Sequence, residues 1–376
     1  MSNPNNIQVI EVKNKQQLKS FVEFPYTLYK NEPNWVPPLR MTQKQILNPK
    51  FLFWKKNPHL FFIAKQNGKC VGRIAAFVNK THNDFLKRTD GFFGFLEAEN
   101  NEAVFHELLQ AAVKFLKELH CTNIIGPMNP DIHNELGILV KGFDSPPYFM
   151  LTHHYPYYNE ILIHQGFSKY EDFYSYKMDS TKYVPSTKME RVRKMLMQKY
   201  PLKIRTPDMK KFMHELEYFH DIYNDAFVDH WGFVPIPKDE FLLLAKDMKS
   251  IIDPRLVLIL EYNNEPIGFL LTLPNANELF IKIRNGRLLP TGIFKILFGR
   301  RHIKSARVIT AAVKKKYQHL GLGALLYPEL MKRGIAYGYK EAELSWVAED
   351  NVVMNTIAKE LCGEPYKTYR LYSKGI

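Results

Sequence analysis

The chain has 376 residues, of which 45% are apolar and 14% aromatic, a globular composition with bulky core material and room for one to three domains. A total of 52 basic against 38 acidic residues gives a formal net charge of +14, which favours anionic partners such as a nucleotide, an acidic substrate, a membrane face or nucleic acid. Three scattered cysteines, Cys70, Cys121 and Cys362, exclude a disulfide scaffold and a zinc pattern and suit a reducing compartment. Met1 to Gln8 carries no signal-peptide pattern, and no apolar run is long enough to span a bilayer, so a cytoplasmic protein is expected.

The first predicted element is a helix from Lys15 to Lys30. A hairpin follows, with strands Leu60–Ala64 and Val71–Val78 around Asn67-Gly68; Asn-Gly between two apolar runs is a strong hairpin signal. A strand is expected near Gly91–Ala98, then a helix from Asn101 to His120. That helix places Val104, Leu108, Ala111, Ala112, Phe115 and Leu119 near a 3.6-residue period. Asn123–Gly126 reads as a further strand, and Tyr157 to Gly166 as a helix closed by a glycine. The polar stretch Asp179 to Ser186, with Pro185, suits a linker.

The second half repeats the order. Helices are expected around Met209–Phe227 and Asp239–Ser250, then a hairpin of Leu256–Glu261 and Pro266–Thr272 joined by Tyr262 to Glu265. A basic, apolar insertion from Lys282 to Lys304 contains no acidic residue. It suits a lid over a channel, a contact with an anionic membrane, or a solvated cover. A strand at Val308–Val313, a glycine loop Gln318-His319-Leu320-Gly321-Leu322-Gly323, a helix from Ala324 to about Tyr337 and a strand at Glu343–Val347 complete the set. Strand, glycine loop, helix leaves unpaired N–H groups at a helix start, where a pyrophosphate is well received.

At these residues the chain resembles the GNAT superfamily of acyl-CoA N-acyltransferases. Its pyrophosphate loop reads Gln/Arg-x-x-Gly-x-Gly/Ala after a central strand, and Gln318, Gly321 and Gly323 occupy the fixed positions. The chain also resembles a large group of bacterial proteins of this length with an early Trp-Val-Pro-Pro, here Trp35–Pro38, and a late Glu-Leu-Ser-Trp, here Glu343–Trp346. The resemblance implies an α/β (α+β) fold of two tandem GNAT-like domains, each a mixed twisted sheet flanked by helices. Residues 1–180 would form a degenerate domain and 181–376 the domain with the acyl-CoA loop. Where the first half should carry its own loop it has Glu97 to Glu102, with three carboxylates and no glycine, which would repel a pyrophosphate.

By the same resemblance, Val313 would meet the pantetheine arm, and Gln318, Leu320, Gly321, Leu322, Gly323 and Ala324 the pyrophosphate. Asn355, in Asn355-Thr356-Ile357-Ala358, matches a cofactor-arm asparagine. The family often places a tyrosine four residues beyond that alanine as general acid; here Cys362 stands there, and Tyr366 or Tyr369 is the substitute. Glu349, at a strand end, is a candidate to accept the amine proton, and neighbouring Asp350 or Asn351 a helix cap. His230 and Trp231 are candidate substrate contacts. His153-His154 has no metal-ligand spacing, and no metal is expected.

The expected function is transfer of an acyl group, acetyl by default, from acyl-CoA to a primary amine by direct attack. One alternative is a long-chain transferase acting on an amino lipid or sphingoid-type base. Another is a module that binds CoA without turnover. Nucleic acid is the least supported partner, and oligomeric state is not legible in the sequence.

Overall fold

The computed structural model describes residues 7–184, 187–229, 232–249 and 251–376. The backbone forms two compact units. One comprises the chain up to Phe173 with Asn277–Arg300 and Lys367–Ile376, and the other Tyr174–Ala276 with Arg301–Tyr366.

In the first unit the strands run in the order Ile7–Glu11, His59–Gln66, Lys69–Phe77, Asp90–Ala98, Asn123–Gly126 and Lys367–Gly375. Neighbours are antiparallel except Asp90–Ala98 and Asn123–Gly126, which pair in parallel at Asp90↔Asn123 through Phe92↔Ile125. The hairpin turn places Asn67 at φ 51° and Gly68 at φ 77°, the left-handed pair that a two-residue hairpin needs. The helix Glu102–Glu118 starts on Asn101, whose side chain accepts from the Ala103 N–H, and buries Val104, Phe105, Leu108, Leu109, Ala112 and Leu116 against the sheet.

The second unit repeats this plan. Its order is Glu341–Ala348, Ser305–Val313, Glu265–Pro274, Leu258–Tyr262 and Leu202–Arg205. Asn263 and Asn264 make the second hairpin turn, at φ 52° and 64°. Helix Leu326–Ala336 buries Leu326, Tyr327, Leu330 and Met331 in the core with Leu258, Leu270 and Val308.

Two expectations change locally. The stretch proposed as a linker begins as the end of strand Ser168–Asp179. It then turns tightly: Thr181 donates to the Asp179 carboxylate, and the Ser180 N–H bonds the Lys340 carbonyl at 2.8 Å. Its polar residues are spent on hydrogen bonds within the turn and to the Tyr339–Lys340 backbone; Pro185 and Ser186 lie outside the described residues. The helix expected from Ala324 instead starts as a 3-10 turn at Leu322–Leu325 and continues as Leu326–Ala336.

The first unit carries a pH-sensitive feature. His153 and His154 are both buried. Burial pushes the His154 ring down to about 3, and burial with the Lys367 charge pushes His153 down to about 4, both from 6.5. Between about pH 6.5 and 4 the unfolded chain therefore takes up protons that the folded chain refuses, and stability falls as pH falls, by up to about 1.4 kcal/mol per pH unit for each ring. We expect the melting temperature to drop from pH 7.5 to pH 5, and His154→Gln to flatten that drop. An identical profile in wild type and variant would show that the ring titrates normally in the fold.

Candidate active site

The second unit contains a fork. The central strand Ser305–Val313 and its neighbour Glu341–Ala348 pair in parallel at four rungs, from Ser305↔Glu341 to Val308↔Leu344. Beyond these rungs the two strands continue to Val313 and Ala348 with no further rung between them among the described residues. On its other side the central strand stays paired as far as Val313, opposite Gly268. A fork between the two strands is therefore built into the sheet.

The glycine loop lies at the end of that strand. Gln318 latches it in place: its amide donates to the Val313 carbonyl at 3.0 Å and to the Ala226 carbonyl at 2.9 Å. The Lys314 N–H bonds Ile267 O at 2.8 Å. One short helical turn, Lys315–Gln318, leads to Gly321 at φ 66°, and the next helix begins at Leu322. Only a residue without a Cβ takes this left-handed turn at no cost. A Cβ at Gly321 would meet nothing within 4 Å and so faces open space, and one at Gly323 would touch only Val313 Cγ2, at 3.5 Å.

The loop's donors divide. The N–H groups of Leu320, Gly321 and Ala324 bond the carbonyls of Tyr317, Gln318 and Gly321 at 3.0–3.2 Å. Leu322 and Gly323, in the first turn of the new helix, have no intrahelical acceptor. Lys314, Lys315 and Lys316 precede them and are partly balanced: Lys314 by Glu265 at 2.9 Å and Lys315 by Asp229. An anionic, narrow diphosphate fits this set: two oriented donors, a glycine with clear space, and adjacent lysines.

At the base of the fork is a buried polar chain that sequence reasoning missed. Arg307 and Glu343 face each other across the third rung, both fully or nearly fully buried. Arg307 Nε donates to Ser345 Oγ at 2.9 Å, and Ser345 Oγ donates to Glu343 Oε1 at 2.6 Å. The guanidinium also lies over the Trp346 ring, 4.8 Å from its centroid. Tyr366 donates its phenolic hydrogen to Glu343 Oε2 and is fixed through its backbone N–H to Ser175 O at 3.0 Å. The half-buried Tyr366 is the more accessible end of the chain. A buried carboxylate is tolerable when its oxygens are bonded and a counter-charge stands near. A charged residue inside each of two apolar strands, Arg307 and Glu343, was the available sequence signal.

The other expected site residues fall as follows. Val313 is buried, and its carbonyl takes the Gln318 latch. Asn355 turns inward: its amide donates to the carbonyls of Ala348, Glu349 and Asn351, and its oxygen accepts from Tyr176 at 2.8 Å. It locks the turn that ends the fork strand. Glu349 lies in that turn, and Asn351 caps the next helix by accepting from Met354 N at 3.0 Å. Burial pushes the Cys362 thiol up to about 12. Tyr369 is fully buried in the first unit's sheet, opposite Leu139. His230 and Trp231 lie outside the described residues. No cluster of metal-ligating groups occurs among the described residues.

The corresponding place in the first unit is filled by its own side chains. At the end of strand Asp90–Ala98, Tyr157 donates to the Ala98 carbonyl at 2.7 Å, and the Ala98 N–H donates to Tyr158 Oη at 3.1 Å. Tyr29 and Tyr158 both bond Glu97 Oε2, at 2.6 and 2.8 Å. Burial raises the Glu97 carboxyl from its ordinary value, against the pull of the Arg73 charge and the two phenols.

A split sheet with a glycine loop at the end of its central strand, repeated in plan along one chain, defines the tandem acetyltransferase class. The sequence profile of the Acetyltransferase (GNAT) family matches residues 216–363. The chain belongs to this family and is an N-acyltransferase. It is 37% identical over 379 residues to Bacterial ceramide synthase of Caulobacter vibrioides (strain NA1000 / CB15N), covering 99% of this chain and 98% of that protein. It is 33% identical over 378 residues to Protein YghO of Escherichia coli (strain K12), covering 96% and 94%. Among solved structures, a tandem GNAT protein from the clavulanic acid biosynthesis pathway aligns over 98% of each chain with a TM-score of 0.56 at 11% identity. The glucosamine N-acetyltransferase region of a fungal multi-domain GH3 β-N-acetylglucosaminidase aligns over 99% of this chain and 38% of that one, with a TM-score of 0.60 at 13% identity.

Proposed function

We propose that the enzyme transfers a long acyl chain from acyl-CoA to the primary amine of a sphingoid-type lipid base. The observation that carries the choice of acceptor is the near full-length 37% identity to a protein named Bacterial ceramide synthase. The glycine loop with its two oriented donors supports a CoA-type donor held by Leu322 and Gly323, with Gln318 and Val313 shaping the loop. The first unit takes no CoA of its own in this proposal, because Tyr157 and Tyr158 occupy the backbone groups of Ala98.

The bound thioester supplies the electrophile, and the amine forms the amide bond as the carbon–sulfur bond breaks. What the chain must add is position and one proton transfer. The amine gives up a proton, and the departing thiolate takes one. In this proposal the Tyr366–Glu343 pair serves both: Glu343 is the buried store, and the Tyr366 hydroxyl passes the proton. Arg307 and Ser345 hold Glu343 in orientation.

The test incubates the purified protein with acetyl-CoA or palmitoyl-CoA, and with sphinganine or a soluble amine such as spermidine. Free thiol and N-acyl product are measured together. N-palmitoyl-sphinganine in step with released thiol is the expected outcome. Turnover confined to acetyl-CoA and the soluble amine would overturn the lipid acceptor, and no thiol release with any pair would overturn the donor.

A further inference from the structure

We propose that the insert helix Gly292–Gly299 is a membrane-docking face, taking the headgroup boundary of a bilayer that contains anionic lipid. The helix is built the wrong way round for a surface helix of a soluble protein. Its small residues face inward: a Cβ on Gly299 would lie 2.5 Å from Leu279 Cδ2, and one on Gly292 2.4 Å from the Arg287 carbonyl oxygen. Its large apolar residues face out, with Phe294 57%, Leu297 57% and Phe298 72% exposed, and Leu289, earlier in the insert, is 74% exposed. Phe294 and Phe298, one turn apart, present parallel rings 6.4 Å between centroids. Nothing in a water-facing role accounts for four such side chains in one insert, and contiguous exposed apolar surface marks an interaction site.

The base of this insert is held firmly. Arg284 donates to the carbonyls of Trp35 at 2.9 Å and Glu32 at 2.7 Å. Arg40 donates to the Asn285 carbonyl at 2.6 Å, and its N–H to Gly286 O at 2.9 Å. Lys295 reaches back to Lys282 O at 2.7 Å. The apolar ridge therefore stands on a clamped platform, and its exposure is not a loose end.

Charge selects the occupant. Arg287, Lys295 and Arg300 are exposed in the insert, Arg301 follows, and residues 282–304 contain no Asp or Glu. A stretch of exposed apolar and basic side chains with no acid of its own complements a bilayer with anionic headgroups. A second copy of the same face would bring like charges together.

The test is sedimentation of the full chain with vesicles of phosphatidylcholine alone or mixed with phosphatidylglycerol. We expect binding to the mixed vesicles that weakens with added salt. Phe294→Ser with Phe298→Ser should weaken it at least about tenfold, and Arg300→Glu with Arg301→Glu should remove the preference for anionic vesicles. These are surface changes, and an unchanged melting temperature would confirm that the variants fold. Wild-type protein left in the supernatant, or a double-serine variant that sediments like wild type, would overturn the proposal. So would a wild-type dimer in light scattering that the double-serine variant loses, because the face would then be covered by a second copy. Vesicle binding is read without turnover, so it stands or falls apart from the acceptor proposed above.

Discussion

Tyr366→Phe is expected to lower kcat by about a hundredfold or more, the range in which a positioned acid or base acts, while the affinity for acyl-CoA stays within about twofold. The substitution removes one hydroxyl and leaves the ring and the backbone bond to Ser175 in place. What it takes away is the donor to Glu343 Oε2 and the accessible end of the proposed proton path. Glu343→Gln should lower kcat by a similar factor for a different reason. An amide cannot accept from both Tyr366 and Ser345 as a carboxylate does, so one buried donor is orphaned at a cost of about 1–3 kcal/mol. A melting curve separates that cost from lost turnover. The decisive measurement is kcat and KM for Tyr366→Phe under saturating donor. Full activity would move the proton transfer away from this pair and make Glu349, at the end of the fork strand, the next residue to test.

Gly321→Glu is expected to cut CoA affinity by about thirtyfold or more. Two effects add. A side chain at φ 66° bears left-handed strain of about 1–2 kcal/mol, and a carboxylate placed where a diphosphate must lie costs about 1–4 kcal/mol at short range. Because a Cβ at this position meets nothing within 4 Å, the variant has room to fold, and the loss should appear in binding. Gly321→Ala carries the strain without the charge and should lose no more than about thirtyfold in CoA affinity. Isothermal titration with CoA on the three proteins reads the difference. Equal affinity across the series would remove the loop from the donor site.

The sequence reported local structure well where the signal is local. Asn67-Gly68 and Asn263-Asn264 announced two hairpins because each turn's geometry is settled by the residues in it. The helix Glu102–Glu118 followed from its apolar period, and the glycine loop from six consecutive residues. Family membership rested on that loop and on the repeated order of elements. The Tyr366 candidate was reached from the chain end, but not its partner.

What the sequence by itself determined is therefore the class of protein, the doubled plan, and the position of the glycine loop, all properties of contiguous stretches. What only the tertiary structure decided is which distant residues meet. Glu343 gains Tyr366 from 23 residues away, and Ser345 gains Arg307 from 38. Arg284 clamps the insert to a carbonyl 249 residues earlier, which turns a basic stretch into a fixed apolar ridge. Asn355, expected at the cofactor arm, is consumed by three carbonyls of its own turn. Buried polar groups must find partners wherever the fold supplies them, and spacing along the chain carries no record of that choice.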